Sequence, residues 1–131
     1  MILDTSAVIA ILRMEPEAAE FAKIIERAAQ SRISVVNYVE AGAEIDGSKD
    51  PVASRRFDEL IEAAGVEIEA VSEDQARIAR QAYRDFGTTS GHPAKLNFGD
   101  CFSYALAKSK GEPLLLKGQD FSRTDVKSAR A

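Results

Sequence analysis

The chain has 131 residues, of which 45% are hydrophobic and 29% are charged, and its formal net charge is −4. This balance is typical of a folded globular domain, and no apolar run reaches the roughly 20 residues of a membrane helix. The single cysteine, Cys101, excludes an intrachain disulfide and fits a reducing cytoplasm. The sequence also starts without the basic region of a secretory signal peptide. We therefore expect one soluble, cytoplasmic domain over residues 1–131, with no membrane association.

Short apolar runs alternate with helical patterns along the chain, which predicts an α/β architecture. The predicted strands span residues 1–3, 33–36, 66–71 and 114–116, and residues 124–126 are a candidate short edge strand. The predicted helices begin at or just after Ser6, Pro16, Asn37, Pro51, Ser72 and Asn97.

Acidic residues recur where predicted strands end and helices begin. Asp4 follows the first strand, Glu40 and Asp100 lie in early turns of later helices, and Asp120 follows the apolar run 114–116. The carboxyl edge of an open α/β sheet is where such folds bind ligands. Carboxylates gathered there repel one another, so the pattern predicts a bound cation. Oxygen ligands favour Mg²⁺ or Mn²⁺, and a chain with one histidine and one cysteine disfavours zinc.

Each of these acids also has a structural alternative. Asp4 suits a helix N-cap, and Glu40 and Asp100 each lie three residues after an asparagine, the spacing of a capping box. Asp120 suits a turn. Surface capping, however, gives no reason for acids from separate elements to converge. Because Asp100 lies away from the apolar stripe of its helix, we expect it to face a cleft or solvent.

Four segments together resemble the PIN domain family, and more narrowly the VapC toxins of bacterial type II toxin–antitoxin pairs. They are residues 4–7 (Asp-Thr-Ser-Ala), Glu40 on a helix after a strand, residues 97–101 (Asn-Phe-Gly-Asp-Cys), and residues 118–121 with 124–125. The resemblance covers essentially the whole chain. It implies a three-layer α/β/α sandwich with a central, mostly parallel sheet. It also implies Mg²⁺-dependent endoribonuclease activity on RNA and inhibition by a cognate VapB antitoxin.

The resemblance further implies roles for individual residues. Asp4 and Asp100 would be the principal metal ligands, Glu40 would be a ligand directly or through water, and Ser6 would hydrogen-bond near the metal. The expected fourth catalytic acid is Asp120. The number of metal ions, one or two, stays open.

Two further expectations concern the last acid and the assembly. Asp125 is the alternative to Asp120, because the segment around this position departs from the usual family pattern.

We also expect a homodimer, since the helix faces 18–29 and 52–64 carry more apolar side chains than so small a chain needs. A groove between helices would then accept an amphipathic segment of the antitoxin.

Other functions stay open at this level. A PIN-type nuclease of RNA maturation or structured DNA would fit the same acids, and so would a catalytically inactive module that binds RNA or protein. A metal-free acid–base ribonuclease would need the only histidine, His92. Arg84, His92 and Lys95 are candidates for a rim that contacts the RNA backbone.

Overall fold

The computed structural model describes residues 1–118 and 124–130. Its strands are β1 (Ile2–Leu3), β2 (Arg32–Ser34), β3 (Glu67–Glu69) and β4 (Leu114–Leu115). They form one parallel sheet in the order β3-β2-β1-β4. The helices are α1 (Thr5–Leu12), α2 (Ala18–Arg27), α3 (Val35–Gly47), α4 (Pro51–Ala63), α5 (Glu73–Phe86) and α6 (Phe98–Lys110).

The helices cover both faces of the sheet. Leu3 and Leu115 point into a core formed with α1 to α4, and their neighbours Ile2 and Leu114 point into a second core formed with α5 and α6. This alternation is the two-residue period of a strand that is buried on both sides. The predicted three-layer α/β/α sandwich is therefore confirmed.

The strand order places a topological switch point between β1 and β4. The chain runs from β1 outwards through β2 to β3, and then returns to the other side of β1 to form β4. In such sheets the crevice outside the carboxyl ends of the two strands at the switch point is the usual ligand site. Asp4 follows β1 at this position, and Lys117 lies two residues beyond the end of β4.

Local sequence signals explain most helix ends. Asp50 caps α4, whose first residue is Pro51, a position at which the missing proline N–H costs no helical hydrogen bond. Asn97 caps α6. Gly111 ends α6 with φ of 64°, the left-handed conformation that glycine adopts without steric cost.

Two predicted elements differ from the structure. The helix α3 begins at Val35 with Ser34 as its N-cap, so Asn37 lies inside the helix and does not cap it. The Ser34 hydroxyl accepts from the backbone N–H of Val36, which ends β2 earlier than its apolar pattern suggests. Residues 124–126 form no strand; the nearby pairing is an isolated bridge between Leu114 and Ser128.

The apolar helix faces on which the expected homodimer rests are partly buried in the core of the monomer. Phe21 and Ile25 of α2 and Phe57 of α4 are buried in the monomer. Ile24, Leu60 and Ile61 are half-buried, and Val52 is exposed.

Within the described residues, no helix is long and apolar enough to span a membrane.

Candidate functional site

Three of the predicted acids line one pocket at the carboxyl edge of the sheet. Asp4, Glu40 and Asp100 reach it from the start of α1, from α3 and from the first turn of α6. We call this cavity of about 410 Å³ the acidic pocket. Its walls are formed by Asp4, Thr5, Ser6, Ile9, Arg13, Glu15, Glu40, Glu44, Asn97, Asp100 and Lys117.

Asp4 is fixed by hydrogen bonds to both carboxylate oxygens. The backbone N–H and the hydroxyl of Ser6 donate to Oδ2 at 3.0 and 2.6 Å, and the Ser103 hydroxyl donates to Oδ1 at 2.5 Å. Asp4 is only 3% exposed, so these donors satisfy a carboxylate that is largely removed from water. The structural alternative for Asp4 is confirmed, since it is the N-cap of α1. The capping bond orients the carboxylate that lines the pocket.

Glu40 is oriented from two sides, although its side chain is largely exposed. The Thr5 hydroxyl donates to Glu40 Oε1 at 2.5 Å. On the other side the carboxylate lies directly against Gly99, where a Cβ atom would stand 2.7 Å from Cδ of Glu40 and closer still to both oxygens. Only glycine leaves room for the carboxylate at this point. The capping-box alternative for Glu40 is wrong, because Asn37 is not the N-cap of α3.

Asn37 ties the elements of the pocket together. It is fully buried, and its side-chain N–H groups donate to the Thr5 hydroxyl at 3.0 Å and to the Gly99 carbonyl at 3.1 Å. The Thr5 oxygen accepts this hydrogen bond, and its hydroxyl donates to Glu40 Oε1 at 2.5 Å, with the Asn37 carbonyl as a more distant acceptor at 3.4 Å. The Asn37 Oδ1 atom is buried without a hydrogen-bond partner among the described residues. The orientation of the Asn37 amide therefore satisfies its two N–H groups and leaves its oxygen without a hydrogen bond in the described part of the chain.

Asp100 combines a capping role with its place in the pocket. Its Oδ2 atom accepts from the backbone N–H of Asn97 at 3.0 Å, and its own N–H donates to Asn97 Oδ1 at 2.9 Å. This reciprocal pair is the capping box that the sequence suggests. Asp100 is 8% exposed and lines the acidic pocket. Of the two expected environments, a cleft or open solvent, the structure shows the cleft.

The donor set suits a hard cation better than zinc. The acids that line the pocket offer only oxygen ligands, and His92 is not among the lining residues. Across the described parts of the chain, no three His, Cys, Asp or Glu side chains are arranged closely enough to hold a metal ion together. Mg²⁺ does not require such a cage, because proteins bind it through one or two carboxylates while it keeps several waters. Asp4 and Asp100 are the buried carboxylates that fit this requirement.

The two candidates for a fourth acid have different outcomes. Asp120 lies outside the described residues. Asp125 lies elsewhere: it lines a separate cavity and accepts hydrogen bonds from the Tyr104 hydroxyl at 2.6 Å and from Lys108 Nζ at 2.5 Å. The Lys108 hydrogen bond, followed by that from Tyr104, lowers the pKa of Asp125. The structure therefore places Asp125 away from the acidic pocket, with its carboxylate bound by other partners.

Four other side chains with a possible chemical role do not line the acidic pocket. Burial, with the nearby Asp100 charge as a smaller cause, raises the pKa of the Cys101 thiol to about 12, so the thiolate is scarce at neutral pH. His92 packs edge-on against Phe86, and its Nδ1 atom accepts from the backbone N–H of Ala94. Arg84, His92 and Lys95, suggested as a rim, do not line the acidic pocket.

Several residues of the site were not anticipated from the sequence. Ser103 reads as a core position of α6, and only its spacing of three residues after Asp100 puts it on the same helix face. Thr5 reads as an ordinary first residue of α1. Arg13 and Glu44 lie 31 positions apart and meet as an ion pair at 2.8 Å through tertiary folding.

Replacing Asn37 by aspartate should destabilise the protein strongly. The carboxylate has the same shape, but it cannot donate to Thr5 or Gly99, and it places a charge in a fully buried position. We expect the free energy of unfolding at pH 7 to fall by at least about 2 kcal/mol in urea denaturation. Asn97→Asp is the matched control, because aspartate caps a helix as well as asparagine does. Equal stability of the two variants would contradict the role assigned to Asn37.

Comparison with known proteins connects this site to a family. The sequence model of the PIN domain family matches residues 1–127. The chain is 57% identical to Ribonuclease VapC28 of Mycobacterium tuberculosis over 129 residues, which cover 98% of this chain and 97% of the relative. It is 50% identical to Ribonuclease VapC42 of the same organism over 129 residues, with 98% of each chain covered.

Solved structures share the fold at lower identity. The M. tuberculosis toxin VapC20, described as cleaving the sarcin-ricin loop, matches with a TM-score of 0.74 and 16% identity over 95% of each chain. A toxin–antitoxin complex from Klebsiella pneumoniae contains a chain that matches with a TM-score of 0.72 and 19% identity. That match covers 98% of this chain and 96% of the other. These matches carry the architecture to this chain.

Proposed function

The chain belongs to the PIN domain family, and on that premise we propose that it is a Mg²⁺-dependent endoribonuclease acting as the toxin of a type II toxin–antitoxin pair. The observation that carries the proposal is the acidic pocket, in which Asp4, Glu40 and Asp100 line one cavity at the switch point of the sheet. The names of the relatives, VapC28 and VapC42, support ribonuclease activity. Mn²⁺ is the alternative cation.

Each pocket residue has a role in the proposal. Asp4 and Asp100 would hold the cation, and Glu40 would contribute directly or through a water. Ser6 and Ser103 fix the orientation of Asp4 through their hydroxyls. A bound Mg²⁺ supplies Lewis-acid activation of water and neutralises charge that develops on the phosphate. Asp120 stays the proposed fourth acid.

Incubation of the purified protein with mixed RNAs tests the proposal. We expect cleavage with Mg²⁺ or Mn²⁺, no cleavage in EDTA, and recovery when Mg²⁺ is restored. Ca²⁺ should support cleavage poorly, because its longer and looser coordination misplaces the reacting groups. Undiminished cleavage in EDTA would exclude the metal-dependent reaction. RNA binding without cleavage under every ion would favour the inactive interaction module.

We further propose a small VapB-type antitoxin and a second copy of the chain as protein partners in the cytoplasm. The half-buried Ile24, Leu60 and Ile61 and the exposed Val52 leave apolar surface on α2 and α4 that a partner would cover. Co-expression with the neighbouring small open reading frame should give a co-purifying complex and restore growth. Sedimentation of the toxin alone should give a dimer. A monomer that neither binds this product nor is inhibited by it would contradict both assignments.

A further inference from the structure

Two basic side chains, those of Arg13 and Lys117, lie in the wall of the acidic pocket. Arg13 follows α1 and Lys117 follows β4, so they reach the pocket from different elements. Among residues 1–118 and 124–130, no other lysine or arginine lines this cavity. Neither belongs to the ligand set proposed above, and a cation site gives no reason to attract basic residues.

The charge of the pocket shows what the two bases change. Five carboxylates and two bases give the described wall a net charge of −3, which one divalent cation would reduce to −1. Without the bases the wall would stay at −3 even with the cation bound. A phosphodiester is itself negative, so Arg13 and Lys117 reduce the repulsion that it meets at the pocket. The carboxylates are those of Asp4, Glu15, Glu40, Glu44 and Asp100.

Each base is held by peripheral glutamates and not by the central acids Asp4, Glu40 and Asp100. Arg13 Nη1 lies 2.8 Å from Glu44 Oε1, and Lys117 Nζ lies 3.0 Å from Glu15 Oε2 and 3.9 Å from Glu17 Oε2. These side chains are 20% to 47% exposed. Ion pairs with this degree of exposure contribute little to stability, so exchanging a glutamate for a phosphate costs little. The glutamates therefore position the bases without sequestering them.

The backbone of Lys117 is also coupled to the central acids. Its N–H donates to the Ser6 hydroxyl at 2.9 Å, and that hydroxyl donates to Asp4 Oδ2 at 2.6 Å. One hydroxyl group thus separates the main chain of Lys117 from the carboxylate of Asp4. This hydrogen bond fixes the backbone of Lys117 beside Asp4, and the residue lines the same pocket.

We propose that Arg13 and Lys117 bind phosphates of the RNA strand that enters the acidic pocket. The inference rests on the proposed function for its substrate class. The planar guanidinium of Arg13 is suited to bind a phosphate through two parallel hydrogen bonds. The ammonium of Lys117 attracts a phosphate as a point charge. Both are positioning residues for the strand, whereas the central acids would hold the cation.

The salt dependence of RNA binding tests this assignment. Affinity of a labelled single-stranded RNA is measured by fluorescence anisotropy in Ca²⁺ buffer over a series of KCl concentrations. Each phosphate contact adds about 0.7 to the slope of log affinity against log salt for single strands. Arg13→Gln and Lys117→Gln should each reduce the steepness of that slope by about 0.7. Arg77→Gln is the matched control, because Arg77 forms an exposed ion pair with Glu73 outside the pocket.

Cleavage in Mg²⁺, measured alongside, separates this inference from the proposed function. Slopes reduced only in the two pocket variants support the phosphate contacts, whether or not the RNA is cut. RNA that the wild type binds with a slope unchanged in all three variants overturns the inference, even if the RNA is cut. Wild-type protein that neither binds nor cuts RNA overturns both proposals.

Discussion

Replacing Asp100 by asparagine should reduce RNA cleavage at least about 100-fold while leaving the fold intact. Loss of a residue that merely supports a metal ligand typically costs 10- to 100-fold, so loss of a proposed ligand should cost no less. Asparagine keeps an oxygen that can accept from the backbone N–H of Asn97, so the cap of α6 survives. The charge that attracts the cation is lost. Initial rates in Mg²⁺ and a urea denaturation curve measure the two effects.

Asp125→Asn is the control for this experiment. It makes the same chemical change at a carboxylate that lines a different cavity and is held by Tyr104 and Lys108. Its cleavage rate should stay within about twofold of wild type, which is below 0.5 kcal/mol in activation free energy. If Asp100→Asn cuts as fast as Asp125→Asn, Asp100 is only a capping residue.

Gly99→Ala should impair cleavage by moving Glu40 without removing it. The new Cβ would overlap the Glu40 carboxylate, which lies at the end of an exposed and flexible side chain and can swing away. Alanine is otherwise favoured over glycine inside a helix by about 1 kcal/mol. We therefore expect unchanged or slightly higher stability together with a loss of activity close to that of Glu40→Gln.

The matched control for this substitution is Gly47→Ala. Gly47 is also helical, and a Cβ atom there would meet nothing within 4 Å. This variant should cut RNA like the wild type. Full activity in Gly99→Ala would show that the position of the Glu40 carboxylate does not matter for the reaction.

The sequence predicts the architecture because its signals are local. Alternating runs and caps such as Asp50 and Asn97 locate the elements within a few residues of their observed ends. The convergence of Asp4 and Glu40 could also be inferred, because parallel strands direct their carboxyl ends to one edge of the sheet. Asp100 follows α5 and not a strand, so its place in the pocket depends on how α6 packs.

The remaining parts of the site depend on contacts that no local pattern encodes. Asn37 is of a residue type and at a spacing typical of a helix N-cap, but Ser34 occupies that position. The side chain of Asn37 instead donates to Thr5 and Gly99. Arg13 meets Glu44 only after α1 and α3 pack together. Residue identity therefore predicted the acids that line the pocket better than the side chains that position them.

The chemistry of the RNA ends tests the central claim most directly. If water is the nucleophile at a carboxylate-held cation, Mg²⁺-dependent cleavage should leave a 5′-phosphate on one fragment and a 3′-hydroxyl on the other. End-labelling and mass spectrometry of the fragments distinguish these groups. A 2′,3′-cyclic phosphate formed at the same rate in EDTA would mean that the RNA 2′-hydroxyl attacks without a metal. That result would contradict the role assigned to Asp4, Glu40 and Asp100.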